Sequence, residues 1–282
     1  MNHTAHAATT PHTHDSGGQA EILDLDEEVL AEHTASITAW LPVTEDPRHV
    51  VDLGCGTGAG TFALLARFPE AEVTAVDASE GHLHRLRARA EALGLADRVR
   101  TVLTDLDAEW PDLGRPDLVW ASASMHHLAD PDRALRAVHE RLAPGGLFAV
   151  VELAGFPRFL PPDAPAERPG VEERCHDALA HLYAQHVPHR GADWGPKLTS
   201  AGFTVEGERT ITVNVEGARG ETVGRYAVSG LSRLRDKAAP SLAAEDLAAL
   251  DRLLDTDGPF SILRRDDLAV RTERTVWAAR RA

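Results

Sequence analysis

Apolar positions along this chain recur at two spacings that take turns. A helical pattern over residues 22–40 stops before Pro42, and an unbroken apolar strand pattern follows at 49–53. The exchange repeats with a helix over 61–68, a strand over 72–76, and a helix opened by Ser79 that carries Leu83, Leu86, Ala90 and Leu93 on one face and stops at Gly94. Strand patterns at 99–103 and 117–121 lead to a helix with Asp130 as its cap, Pro131 in its first turn and Leu135, Val138 and Leu142 facing inward. Pro144-Gly145-Gly146 ends that helix and turns the chain into a strand at 147–152. Five alternations of this kind require right-handed crossovers and a parallel sheet covered on both faces, the doubly wound α/β class.

The remainder has a different rhythm. A proline-rich connection at 154–169 precedes a helix over 171–187, and two runs at 203–215 and 268–278 alternate like strands, bringing the count to seven with an antiparallel edge strand. Between those runs, helical stripes formed by Val223, Tyr226, Gly230 and Leu234, then by Leu247, Leu250 and Leu254, are too long for a hairpin loop and predict a helical lid over 217–262. Residues 1–20 have no periodicity and are expected to form a disordered tail, leaving 21–282 as a single domain.

Charge narrows the function. The 29 basic and 44 acidic side chains give a net charge of -15, which repels phosphate backbones and anionic membranes. Neither nucleic acid nor membrane is expected as a partner. Apolar runs fall far short of a membrane span and no leader pattern opens the chain, so a soluble, cytoplasmic protein is expected. Only Cys55 and Cys175 are present, too few for a disulfide framework. His3, His6, His12 and His14 in the tail, and His181, His186 and His189 around Pro188, have no carboxylate or thiolate at ligand spacing, so no metal site is expected.

In open α/β sheets ligands bind beyond the carboxyl ends of the strands, which directs attention to the turn from Asp52 through Gly60. Gly54, Gly56 and Ala59 satisfy the relaxed dinucleotide pattern, so the glycines alone leave a nicotinamide enzyme open. Asp52, two residues before Gly54, and the additional Gly58 favour a ligand carrying a cationic amine over a pyrophosphate. Cys55 reads as a small filler in the loop.

With those residues the chain resembles the class I S-adenosylmethionine-dependent methyltransferases, whose D-x-G-x-G-x-G loop is matched by Asp52, Gly54, Gly56 and Gly58. The resemblance implies that Asp77, in Ala75-Val76-Asp77-Ala78-Ser79, accepts from the ribose hydroxyls, and that Asp105 and Leu106 hold the adenine. The run from Pro116 to Pro131, with His126-His127-Leu128-Ala129-Asp130-Pro131, followed by Leu142-Ala143-Pro144-Gly145-Gly146, is similar to the ubiquinone-biosynthesis-like branch. Cys55, Ala78, Ala121 and His126 complete the implied cofactor-binding set. The donor-binding half spans 48–152, and S-adenosyl-L-methionine is the implied cofactor.

The implied activity is transfer of a methyl group to an O, N or C nucleophile of a small-molecule acceptor by in-line displacement, for which alignment in a closed site and a base are needed. His126, His176 and His181 are the candidate bases. His176 and Tyr183 share a stripe of the 171–187 helix and, with Trp194, are candidates for acceptor contact. Segments 154–195 and 217–262 carry no motif that names the acceptor. The alternatives are a methyltransferase-fold protein that binds the donor without transferring its methyl group, and an NAD-dependent oxidoreductase.

Overall fold

The computed structural model describes residues 16–217 and 221–282, without the side chains of Ser16, Gly17 and His181. The doubly wound sheet expected from the alternating pattern is present, with seven strands in the order β3-β2-β1-β4-β5-β7-β6. The strands are β1 (His49–Leu53), β2 (Glu72–Asp77), β3 (Val99–Leu103), β4 (Leu118–Ser122), β5 (Leu147–Leu153), β6 (Thr204–Glu216) and β7 (Ala269–Arg280). The first five pair in parallel. β7 is reversed against both β5 and the edge strand β6. Its opening residues therefore adjoin the end of β5, with Arg274 opposite Leu153 and Arg280 opposite Leu147.

Helices α1 (Ser16–Trp40), α2 (Ala59–Arg67) and α3 (Glu80–Ala92) cover one face, while α4 (Pro131–Arg141) and α6 (Trp194–Ser200) cover the other. Local chemistry sets their starts. Ser79 Oγ accepts from the His82 backbone N–H at 3.3 Å to open α3, and Asp130 accepts from Arg133 N–H at 2.8 Å ahead of Pro131 in α4. Strands β1, β4 and β5 are apolar on both sides because helices bury both faces, as parallel sheets require.

The expected tail is shorter than the pattern predicted. Residues 16–20 already belong to α1 and Ala20 is buried, because the helix continues across a polar stretch that tertiary contacts stabilise. The rest of the tail, including its four histidines, lies outside the described residues.

A third apolar cluster sits at the carboxyl end of the sheet. It joins Leu25 of α1 to α5 (Val171–His186), α7 (Glu221–Ala238) and α8 (Ala244–Leu254) through Val171, Cys175, Leu179, Tyr226, Leu231 and Leu250. Because β6 ends and β7 begins at that end, the 217–262 insertion projects from the ligand side. It is part of the packed core and not a detachable flap. Among the described residues no helix is long and apolar enough to cross a membrane.

Candidate active site

The glycine turn lies at the carboxyl end of β1, where strand order reverses between β1 and β4. Gly54, Gly56 and Gly58 have φ of 68°, 54° and 110°, a region that side chains with a Cβ rarely occupy. At two of them space also forbids a side chain. A Cβ on Gly54 would overlap Ser124 Cβ, and one on Gly58 would lie 2.6 Å from the Phe62 ring. The backbone is tied down: Gly54 and Cys55 N–H both donate to Val76 O, at 2.8 and 3.0 Å. Ser124 Oγ donates to Leu53 O at 2.8 Å.

Asp77 closes β2 and grips this turn. Its Oδ2 accepts from Gly56 N–H at 2.9 Å, and its Oδ1 accepts from Ser79 N–H at 2.8 Å and faces His82 Nδ1 at 3.2 Å. Burial pushes the carboxyl upward, but the bonds from His82, Ser79 and Gly56 outweigh it and hold it below the usual range. An ionised carboxylate at the end of β2 is thus built into the fold. His82 had no signal in the sequence beyond its place one helical turn after the cap.

Asp52, expected to face a ligand with a cationic amine, is closed off from solvent. It is 1% exposed beneath the turn, where Thr61 Oγ1 donates to Oδ2 at 2.7 Å, and burial lifts its pKa to about 7. Cys55 is buried, and burial together with Asp52 and Asp77 raises its thiol well above the ordinary value, as suits a filler. Ala78 is exposed beside Asp77, and Asp105 is exposed beyond β3, its Oδ1 accepting from Asp107 N–H at 2.9 Å. Leu106 is half-buried against the α4-side core. Ala121 corrects the sequence reading: its methyl group is fully buried in that core, because β4 is apolar on both sides to its last turn.

His126 is also placed differently from the expectation of a pocket-lining ring. It is 2% exposed, its Nδ1 is bonded to Glu152 Oε2, and its backbone N–H reaches Glu152 Oε1 at 3.3 Å. Glu152, equally buried at the end of β5, was overlooked; an acidic residue closing a strand of apolar residues was the available signal, since a buried carboxylate requires a partner. The adjacent His127 ring is exposed and packs against that of His126, with centroids 4.2 Å apart and planes tilted by 39°.

On the acceptor side, His176 and Tyr183 of α5 do share a face, brought together by Phe156. The Phe156 ring stacks on His176 with centroids 6.4 Å apart and packs on Tyr183 at 4.6 Å. Burial, then the Arg158 charge, lower His176 to about pKa 4, so it is neutral at pH 7. Trp194 is fully buried in the α4-side core and leaves this cluster. The His181 side chain lies outside the described residues. His186 is exposed and bonds Leu182 O at 2.8 Å.

Helix α1 was legible as a helix, but not as a cover. Leu23 overlies the turn so closely that a Cβ on Gly56 would come within 3.2 Å of its Cδ1. Asp24 pairs with Arg85 at 2.6 Å and Glu27 with Arg89, fixing α1 to α3. Asp26 accepts from Tyr226 Oη at 2.7 Å and Arg274 Nη2 at 2.5 Å, fixing it to α7 and β7.

The arrangement combines a glycine turn crowded at Gly54 and Gly58, an ionised carboxylate at the end of β2 and a second, exposed carboxylate after β3. Those donors and acceptors fit an adenosyl group. Residues 51–148 match the family model described as methyltransferase domain. The chain is 40% identical over 116 residues to the trans-aconitate 2-methyltransferase of Methylobacterium radiotolerans, covering 41% of this chain and 42% of that one. It is 36% identical over 163 residues to the malonyl-[acyl-carrier protein] O-methyltransferase of Halorhodospira halophila, covering 57% and 50%. The matched stretch thus spans half or less of each of these curated relatives. Among solved structures, the fold is similar to Haemonchus contortus phosphoethanolamine N-methyltransferase 2 in complex with phosphomonomethylethanolamine and S-adenosylhomocysteine, with a TM-score of 0.54, 14% identity, and coverage of 96% of this chain and 58% of that one. It is similar as well to the [4+2]-cyclase SpnF, with a TM-score of 0.53, 18% identity and coverage of 94% of each chain.

Proposed function

We propose that this chain transfers a methyl group from S-adenosyl-L-methionine to a small-molecule acceptor, within the ubiquinone-biosynthesis-like branch and in the cytoplasm. The observation that carries the reading is the Asp77 carboxylate, ionised at the end of β2 and bonded to the Gly56 N–H of a turn crowded at Gly54 and Gly58. Asp77 would bind the ribose hydroxyls, Asp105 and the Leu106 backbone the adenine, and Gly54, Gly56 and Gly58 would let the main chain approach the donor. When bound, the donor supplies a methyl group on a sulfonium, an electrophile with a neutral thioether leaving group. What the protein adds is alignment and exclusion of water, which α1 and the insertion at the carboxyl end are placed to give. Glu152 holds the buried ring of His126 beneath this end of the sheet, so a base for the acceptor proton has to come from another group or from solvent.

The test has two arms. Calorimetric titration with S-adenosylmethionine, S-adenosylhomocysteine and NADH is expected to show binding of the first two alone. Mass spectrometry of an acceptor panel that includes trans-aconitate and malonyl thioesters is expected to show a gain of one methyl group with release of S-adenosylhomocysteine. Binding of NADH in place of the sulfur compounds would overturn the reading. Conversion of an acceptor without gain of a methyl group would assign the donor site a non-methylating use, as the likeness of fold to a cyclase allows.

A further inference from the structure

Behind β5 the acceptor side holds an arginine with no ion pair among the described residues. Arg190 lays its guanidinium over Phe156 at 3.8 Å and over Tyr183 at 4.9 Å, and its Nε and Nη1 are buried with no hydrogen-bond partner. A cation–π contact satisfies the face of a guanidinium but not its edge, and the in-plane N–H groups are the ones that fork onto an anion. Nearby, Lys237 at the end of α7 stands 5.8 Å from the Tyr183 ring and forms no ion pair among the described residues. Arg233, one turn earlier, bonds Gln19. Burial lowers the pKa of Arg190; burial, then Arg233 and Arg190, lower that of Lys237. Three cations crowd one aromatic wall in a chain whose net charge is -15.

Among the described residues no carboxylate is bonded to Arg190 or Lys237, although Glu152 acts on Arg190 and Asp177 on His176 through space. Glu152 is the acid whose charge acts on Arg190, and it is committed to His126; Glu173 is committed to Arg158. Beside the wall, His176 Nε2 is likewise buried without a partner. Buried polar edges left open on one surface, next to positive charge without a bonded carboxylate, describe a site whose missing partner is an anion. The cluster gathers by the carboxyl-terminal ends of α5 and α7, and the edges of a guanidinium are suited to bidentate bonding of a planar carboxylate.

From this we infer that Arg190, with Lys237 and Arg233, binds a carboxylate of the acceptor, which is a small organic acid laid against Phe156 and Tyr183. The inference rests on the methyl-transfer reading for the word acceptor, but the anion site can be measured without it. Full-length protein, with and without S-adenosylhomocysteine, is titrated calorimetrically with trans-aconitate, citrate and succinate, with their neutral methyl esters, and with phosphoethanolamine. At least one free acid is expected to bind about tenfold or more tightly than its ester. Arg190→Met is expected to weaken that acid by about ten- to a hundredfold, with S-adenosylhomocysteine affinity within about twofold of the unsubstituted protein and with Arg190→Lys recovering part of the loss. Its thermal midpoint is expected to hold or rise, since the substitution removes a buried charge without a bonded partner.

Equal binding of acids and esters, binding of none of the acids, preference for phosphoethanolamine, or acid binding unaffected by Arg190→Met would each overturn the proposal. A lower midpoint in Arg190→Met with acid binding intact would make the guanidinium structural and overturn it too. Should S-adenosylhomocysteine fail to bind while the acids bind through Arg190, the methyl-transfer reading falls and the anion site stands.

Discussion

The two halves of this site are built by different means. On the donor side the polar groups are bonded to one another before any ligand arrives: both Asp77 oxygens are engaged, and the glycine turn is anchored to Val76 and Asp77. On the acceptor side, side chains from the loop after β5, from α5, the segment following it, and α7 meet across long sequence distances, and Arg190 and His176 keep unbonded nitrogens. A site formed by main-chain geometry tolerates few residue types and so leaves a motif. One formed by side chains on packed helices can be made by many sequences, and it leaves none.

The largest effect is expected where the donor side has no slack. Gly54→Ala places a methyl group against Ser124 Cβ at a φ of 68°. Left-handed backbone and overpacking together are expected to lower stability by about 2–4 kcal/mol in urea unfolding. Donor affinity is expected to disappear. A Gly54→Ala protein that binds S-adenosylhomocysteine normally would show that the cradle is not where the donor lies.

Asp52 sharpens the contrast through pH. Its folded-state pKa, raised from 3.8 to about 7, means that the native protein holds a proton that the unfolded chain has lost. Its contribution to stability is therefore full below about pH 4 and falls as pH rises to 7. Glu172, raised from 4.5 to about 7 by burial, works in the same direction, so a variant is needed to isolate Asp52. Asp52→Asn keeps an acceptor for Thr61 and is expected to stabilise the ligand-free protein at pH 8, on the order of 1–3 kcal/mol, with little change at pH 4. Urea titrations at the two pH values read this directly; an equal change at both would place the Asp52 pKa elsewhere.

The smallest effect concerns the joint between the halves. Tyr226→Phe removes the hydroxyl that bonds Asp26, tying α7 of the insertion to α1 over the donor turn. A loss of about 1–2 kcal/mol is expected. Faster hydrogen exchange in α1 is expected to accompany it, and unchanged exchange there would show that the other ties of α1, to α3 and Arg274 among them, hold it without this bond. Replacing the whole insertion with a short linker is expected to unfold the protein, since it would strip Tyr226, Leu231 and Leu250 from a buried cluster shared with α1 and α5.

Most of the fold was legible because helix and strand periods alternate without interruption through residue 152, and because Ser79, Asp130 and the Pro144-Gly145-Gly146 turn mark boundaries by local chemistry. The donor turn was legible for the same reason: positive φ and close approach select glycine at fixed spacing. Its electrostatics were not. Whether Asp52 faces a ligand or sits under Thr61 depends on a partner nine residues away on α2. The His126–Glu152 pair joins residues 26 apart, and Ala121 is buried by helices that a strand pattern does not locate. His176 and Tyr183 were placed together correctly by helical spacing, but Phe156 and Arg190, which give that face its character, come from irregular segments with no period to read.

The account stands most directly on Asp77, because that carboxylate secures the turn and is the group proposed to bind the ribose. S-Adenosylhomocysteine titrated calorimetrically into the unsubstituted protein and into Asp77→Ala, with thermal unfolding of both, is the measurement that tests it. The expected result is binding to the former, a loss of about ten- to more than a hundredfold in the latter, and a variant that still unfolds cooperatively. Equal affinity in a folded Asp77→Ala protein would contradict the account.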